Sequence, residues 1–294
     1  MPKLLTIGGV IDKSWDHYRA KFSELMSISS WILILAVFDI ISLTLYPTVS
    51  KLTNEVALTS IEGFGVILFV FSNSILAPLF GLWLFTSLVR LIRSQISGRS
   101  IGAKKAMKEG LKYFIPAFYV SVLIVLILIS GIILGFAPAF IVGFLATLAK
   151  SSGIVLITAN LLLILGAFAA LFLNFRWTVY YVLTPFAVLV ENQRGISALT
   201  RTRQLVQGNF WHTLLMLIIP KAVFVVIGGI VLLFSTYLIR FFLTALGGIN
   251  PDIQLRLLTI VSSVFPLIIT AFLNPIIVII DFMIYKNLME VQGK

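Results

Sequence analysis

Four ionisable side chains lie inside long apolar stretches of this 294-residue chain: Asp39, Arg176, Lys221 and Asp281. A charge held in hydrocarbon is expensive, so such residues pair, face a polar interior or mark a conduction path. Asp39 and Arg176 both fall well inside their segments, which predicts an intramembrane polar pair between the first and fourth spans. Lys221 and Asp281 each lie within about two to three turns of a segment end, where Lys221 can snorkel to the interface. Buried pairs or snorkelling that fix helix packing are the plainer account of these four, and a transport path is the sharper one.

Little else in the sequence can do chemistry. There is no cysteine, hence no disulfide framework, thiolate nucleophile or Cys-based metal site. The sequence holds no H-E-x-x-H, G-x-S-x-G, P-loop or G-x-G-x-x-G pattern. His17 and His212 are the two histidines, and they lack the flanking carboxylates that a metal site requires. An intramembrane acid–base enzyme would have to rest on Asp39 or Asp281, and neither has a second carboxylate at helical spacing. No catalytic residue, cofactor or metal is expected.

The elements that must carry these residues are transmembrane helices. Hydrophobic residues make up 60% of the chain and charged ones 11%, against about 45–50% and about 25% in soluble domains. The runs Phe64–Val89, Tyr113–Ala149, Gly153–Val190, Phe210–Ile239 and Leu257–Tyr285 are each long enough to cross about 30 Å of hydrocarbon. With Ser27–Pro47 they predict an all-α membrane protein of six spans, forming a single polytopic domain over 1–294. The third and fourth segments exceed one crossing, so tilting, protrusion or breaks near Gly135–Pro138 and Pro185 are expected.

Lysine and arginine set the orientation. Of the 22, 16 fall on one face: the N-terminal segment, Arg90–Lys112, Arg194–Arg203 and the C-terminus. Lys51, Lys150, Arg240 and Arg256 fall on the other. Cationic loops stay in the cytoplasm, so both termini are predicted to be cytoplasmic. The net charge of +11 is then a matter of anionic headgroups and not of nucleic acid.

Three cytoplasmic stretches look alike: Val10–Phe22, Gly102–Phe114 and Ala198–Phe210. Each reads as a short polar helix ending in an aromatic residue that leads into a span. Their closing phenylalanines are 92 and 96 residues apart, which predicts three helix-plus-hairpin repeats over about 6–95, 99–190 and 195–290. Such helices lie along the cytoplasmic leaflet with their cations among headgroups. Lys104, Lys105, Lys108, Arg201 and Arg203 are the candidate headgroup contacts. Trp15, Tyr18, Tyr113, Trp177, Tyr180, Tyr181 and Trp211 suit an interfacial aromatic belt. These helices either anchor the spans or form a lipid-headgroup site against the bundle.

The stretch from Leu173 to Trp211 carries a pattern: Arg176-Trp177, Thr184-Pro185-Phe186, Val188-Leu189-Val190-Glu191, then Ala198-Leu199 through Gly208-Asn209-Phe210-Trp211. It resembles the membrane domain fused to some bacterial glycerophosphodiester phosphodiesterases and the stand-alone polytopic relatives of that domain. Ser14-Trp15-Asp16-His17-Tyr18-Arg19 is similar to their usual start. Glu191, Ala198, Leu199, Gly208 and Trp211 are the motif residues. The resemblance implies a prokaryotic plasma membrane and a membrane fold. It carries over nothing catalytic, because in the fused enzymes catalysis belongs to a separate soluble barrel. The expectation is a non-catalytic protein that organises membrane lipids or a partner protein at the cytoplasmic leaflet. A small-solute or lipid transporter and an intramembrane lipid-modifying enzyme are the alternatives.

Overall fold

A computed structural model describes residues 5–48, 51, 53, 57–99, 101–148, 153–245 and 250–292. All the regular structure among them is helical. In chain order the α-helices are α1 (Ile7–Ala20), α2 (Phe22–Ser29), α3 (Leu33–Leu45), α4 (Ser60–Phe71), α5 (Ala77–Ile96), α6 (Ala103–Leu148), α7 (Gly153–Tyr181), α8 (Thr184–Glu191), α9 (Ile196–Val206), α10 (Phe210–Ala245) and α11 (Pro251–Gln292). A 3₁₀ turn at Ser30–Ile32 joins α2 to α3, and a π-helical turn at Ser72–Leu76 joins α4 to α5. Among the described residues, six helical stretches are long and apolar enough to cross a membrane: Phe22–Leu45, Ser60–Ile96, Ala103–Leu148, Gly153–Glu191, Phe210–Ala245 and Pro251–Gln292.

Local chemistry sets many of the helix ends. Thr6 caps α1 by accepting from the Gly9 amide, and Thr59 and Glu62 form a reciprocal capping box at the start of α4. Pro47 pushes Tyr46 out of helical conformation and stops α3. Asn192, at φ 58°, closes α8 in the left-handed conformation. Gly208, at φ 106°, supplies the turn from α9 into α10, where a side chain would be strained.

Of the tilting, protrusion or breaks expected of the third segment, a break at Gly135–Pro138 does not occur. α6 runs unbroken for 46 residues with Pro116 and Pro138 inside it, a rise of about 69 Å. Each proline deletes one ladder bond, and the ladder continues on either side. The fourth span is interrupted at Val182–Leu183, just ahead of Pro185, and α8 restarts beyond it. Of Gly102–Phe114, read from the sequence as a short polar helix leading into a span, Ala103 to Phe114 form the first turns of α6.

Two compact units emerge, Met1–Phe114 with Leu215–Asn287, and Ile115–Leu214 with Leu288–Lys294. In the first, the packed core gathers around α1, α2, the later turns of α5 and the later turns of α11. Val10, Leu25, Ile28, Leu84, Leu88, Leu91, Ile92, Ile276, Ile279 and Tyr285 are fully or almost fully buried, while α10 beyond Phe224 and the start of α11 are largely exposed. Helix α1 runs antiparallel to the last turns of α11, joined by Leu5 N to Asn287 Oδ1, Ser14 Oγ to Met283 Sδ and Tyr18 Oη to the Phe272 carbonyl. The second unit buries Leu183, Phe186, Leu189, Ala198, Leu205 and Val206 around α8 and α9, and leaves the far end of the α6–α7 hairpin exposed. Gly135 and Gly166 let α6 and α7 touch, since a Cβ on Gly135 would come within 2.7 Å of Ala170 Cβ and of the Gly166 carbonyl.

Candidate functional site

In the first unit, Asp39 lies on α3 at 3% exposure and holds three spans together. Its Oδ1 accepts from Asn73 Nδ2 at 3.1 Å, on the π-helical turn of the second span. Its Oδ2 accepts from Ser263 Oγ of α11 at 2.5 Å. Arg176, its expected partner, is an exposed residue of the second unit, with its guanidinium over the Tyr180 ring at 5.6 Å to the centroid. Two neutral donors on neighbouring helices therefore satisfy Asp39, and an aromatic face on its own helix receives Arg176. The sequence signal for the Asp39 node was available: Asn73 and Ser263 are polar residues within apolar runs.

A line of polar groups continues along α11 from this node. Four residues before Ser263, Thr259 lines a pocket of about 290 Å³ with Leu43, Tyr46, Phe69, Asp252 and Arg256. Arg256 donates to the carbonyls of Leu43, Thr44 and Tyr46, the last at 2.9 Å. These are carbonyls that α3 leaves unpaired where Pro47 stops it, and a cation there also complements the helix dipole. The sequence placed Arg256 in a loop-side count of charges and did not foresee this cap.

At the other end of the same unit, Lys221 Nζ of α10 lies 2.6 Å from Asp281 Oδ1 of α11. The two charges, both largely buried, are neutralised by one another. Nearby, Trp15 of α1 stacks on Tyr18 at 5.8 Å and on Phe224 at 6.1 Å between ring centroids. His17 Nε2 donates to Gln95 Oε1 at 3.0 Å, and Gln95 Nε2 donates to Glu24 Oε2 at 2.7 Å, so that α1, α2 and α5 share one polar chain. Burial holds the His17 imidazole below its ordinary value of 6.5, outweighing the Gln95 bond that favours the charged form.

The motif residues of the second unit are structural neighbours. Glu191 Oε2 accepts from Arg201 Nε at 2.9 Å and ties the end of α8 to α9. Ala198 and Leu199 are buried, and Gly208 makes the following turn. Trp211 is 71% exposed with its ring edge-on to Phe210. The pattern from Glu191 to Gly208 thus encodes a helical corner. Of the two candidate headgroup arginines in this stretch, Arg201 is held by Glu191, whereas Arg203 is exposed beside a groove between α9 and α6. Lys104, Lys105 and Lys108, in the first unit, are all exposed on the opening turns of α6. On that helix Glu109 is taken by Arg90, at 2.7 Å. Among the described residues there is no cluster of three His, Cys, Asp or Glu side chains that could hold a metal ion.

Among the described residues, six helices long and apolar enough to cross a membrane mark a multi-pass, α-helical membrane protein. In comparisons with known proteins, the chain matches no protein-family model, no curated protein and no solved structure.

Proposed function

We propose that this chain is a non-catalytic protein of a prokaryotic plasma membrane that organises anionic lipid, or a partner protein, at the cytoplasmic leaflet. The observation that carries this reading is the exposure of Lys104, Lys105 and Lys108 together on the polar start of a spanning helix. Among the described residues none of the three forms an ion pair with a carboxylate, so their charge is available to headgroups. Juxtamembrane cations of this kind contribute about 1 kcal/mol each at an anionic surface. The lysine and arginine asymmetry puts this end, and both termini, in the cytoplasm. The three-repeat layout and the kinship with the phosphodiesterase membrane domain belong to the same proposal. They rest on the closing phenylalanines Phe22, Phe114 and Phe210 and on the Glu191–Trp211 motif.

The test is purification of the full chain from native membranes in mild detergent, with mass spectrometry of everything that stays bound. Selective retention of anionic lipid, lowered by replacing Lys104, Lys105 and Lys108 with glutamine, or a stoichiometric protein partner, is the expected result. Unselective lipid with no partner rejects the reading.

A second reading, a transporter of a small solute or lipid, draws on Asp39. A buried carboxylate with neutral donors, a π-helical turn beside it and a polar line leading to a pocket suit a conduction path. Flux across proteoliposomes that is lost in Asp39→Asn supports it, and equal flux in the two proteins rejects it.

A further inference from the structure

The groove of the second unit is built differently along its length. Leu123, Leu126 and Ile127 of α6 face Ile196 of α9 across it, and Thr200 and Arg203 stand on the same wall as Ile196. The cavity is about 430 Å³, within the range that holds a small amphiphile. Its α6 wall opens outward, since Leu126 is 54% exposed. Arg203 is exposed, and among the described residues it forms no ion pair, in contrast to Arg201 two residues before it. Thr200 donates its hydroxyl to the Ile196 carbonyl at 3.0 Å, which leaves the oxygen lone pairs and not the proton facing outward. Anion recognition at this place therefore falls to the guanidinium, which matches phosphate geometry with paired donors.

We propose that this groove holds one anionic glycerophospholipid, with the headgroup phosphate on Arg203 and an acyl chain against Leu123, Leu126 and Ile127. Three arguments select that occupant. Apolar side chains make up most of the lining, which an acyl chain covers and a free phosphate does not. A cation at one end of an apolar slot is complementary to a molecule that is charged at one end. In a bilayer the lipid is also the solvent, so it reaches an open groove on a spanning helix at saturating abundance. The proposal rests on the lipid-organising reading and narrows it to one site, distinct from the lysines at the start of α6.

Native mass spectrometry of the detergent-solubilised full chain tests it, with dioctanoyl phosphatidylglycerol and dioctanoyl phosphatidylcholine as probes. The wild-type chain is expected to retain the anionic lipid preferentially. Arg203→Gln lowers that preference about fivefold, the equivalent of about 1 kcal/mol for one interfacial cation. Arg203→Lys keeps most of it. Leu126→Trp fills the groove at an exposed position and reduces retention of both probes. Arg240→Gln, an equal loss of charge on an exposed turn of α10, changes nothing. Wild-type retention in Arg203→Gln and in Leu126→Trp overturns the groove and leaves the lipid-organising reading in place. Absence of any preference in the wild-type chain overturns both. Displacement of the lipid by an equal concentration of inorganic phosphate overturns the choice of a lipid as occupant.

Discussion

Ser29 donates its hydroxyl, at 2.6 Å, to the Ala271 carbonyl. In a regular helix that carbonyl accepts from the amide four residues on, which here is Pro275 and has no N–H. A first-span serine thus supplies the donor that a sixth-span proline withholds, and Tyr18 reinforces the same turn at the Phe272 carbonyl. Prolines are tolerated in spanning helices when a neighbour satisfies the freed group.

This bond sets the first prediction. Ser29→Ala should destabilise the protein in detergent by about 0.6 kcal/mol, the average for interhelical bonds in membranes, and by no more than about 1.7 kcal/mol. In a Pro275→Ala background the helix satisfies Ala271 itself, so the cost of Ser29→Ala should nearly vanish. Thermal unfolding of the four proteins in the cycle measures the difference, and equal costs in the two backgrounds contradict the capping role.

The Asp39 node predicts a different pattern. Both carboxylate oxygens accept from donors on other spans, so Ser263→Ala should cost about 1–3 kcal/mol by leaving a buried acceptor short of a partner. Once Asp39→Leu has removed the acceptor, the same change should cost little. Additive costs in a denaturation series would break the assignment.

Lys221 and Asp281 should behave as a unit. Replacing either alone strands a buried charge and should cost about 3–5 kcal/mol, while Lys221→Met with Asp281→Leu should cost less than either single change. Unfolding in mild detergent compares the three variants. A double variant as unstable as the sum of the singles would mean that the two do not neutralise each other.

His17 gives the pH dependence. The folded imidazole has its pKa lowered below 6.5, mainly by burial, with Lys21 lowering it further and Gln95 and Glu24 opposing. As pH falls through 6.5 the unfolded chain takes up a proton that the folded chain refuses, so stability declines from there until the folded imidazole is protonated in turn. Unfolding temperatures taken from pH 7.5 down to 5 should fall in the wild-type chain. His17→Gln should flatten that part of the profile, and an unchanged slope would assign it to other groups.

Much of the architecture was legible in the sequence because it depends on quantities that add along the chain. Six apolar runs, each longer than the hydrocarbon is thick, require six helices whatever their neighbours do, because in lipid the backbone must bond to itself. The stop of the first span at Pro47 follows from φ and ψ of one or two residues, and it too was local. The partners of the charged side chains were not. Counting residues along a span places neither the helix face of a charged side chain nor its neighbour. Packing decided that Asn73 and Ser263 face Asp39, that Arg256 reaches the end of α3, and that Lys221 meets Asp281. Prolines divide in the same way: the sequence marks Pro138 and Pro185 alike as breakers, yet α6 continues through its proline and the fourth span is interrupted just ahead of Pro185. A missing hydrogen bond is a local property, but its repair is not: the Ala271 carbonyl that Pro275 leaves free finds its donor in Ser29 of another span, and that meeting is decided only in three dimensions.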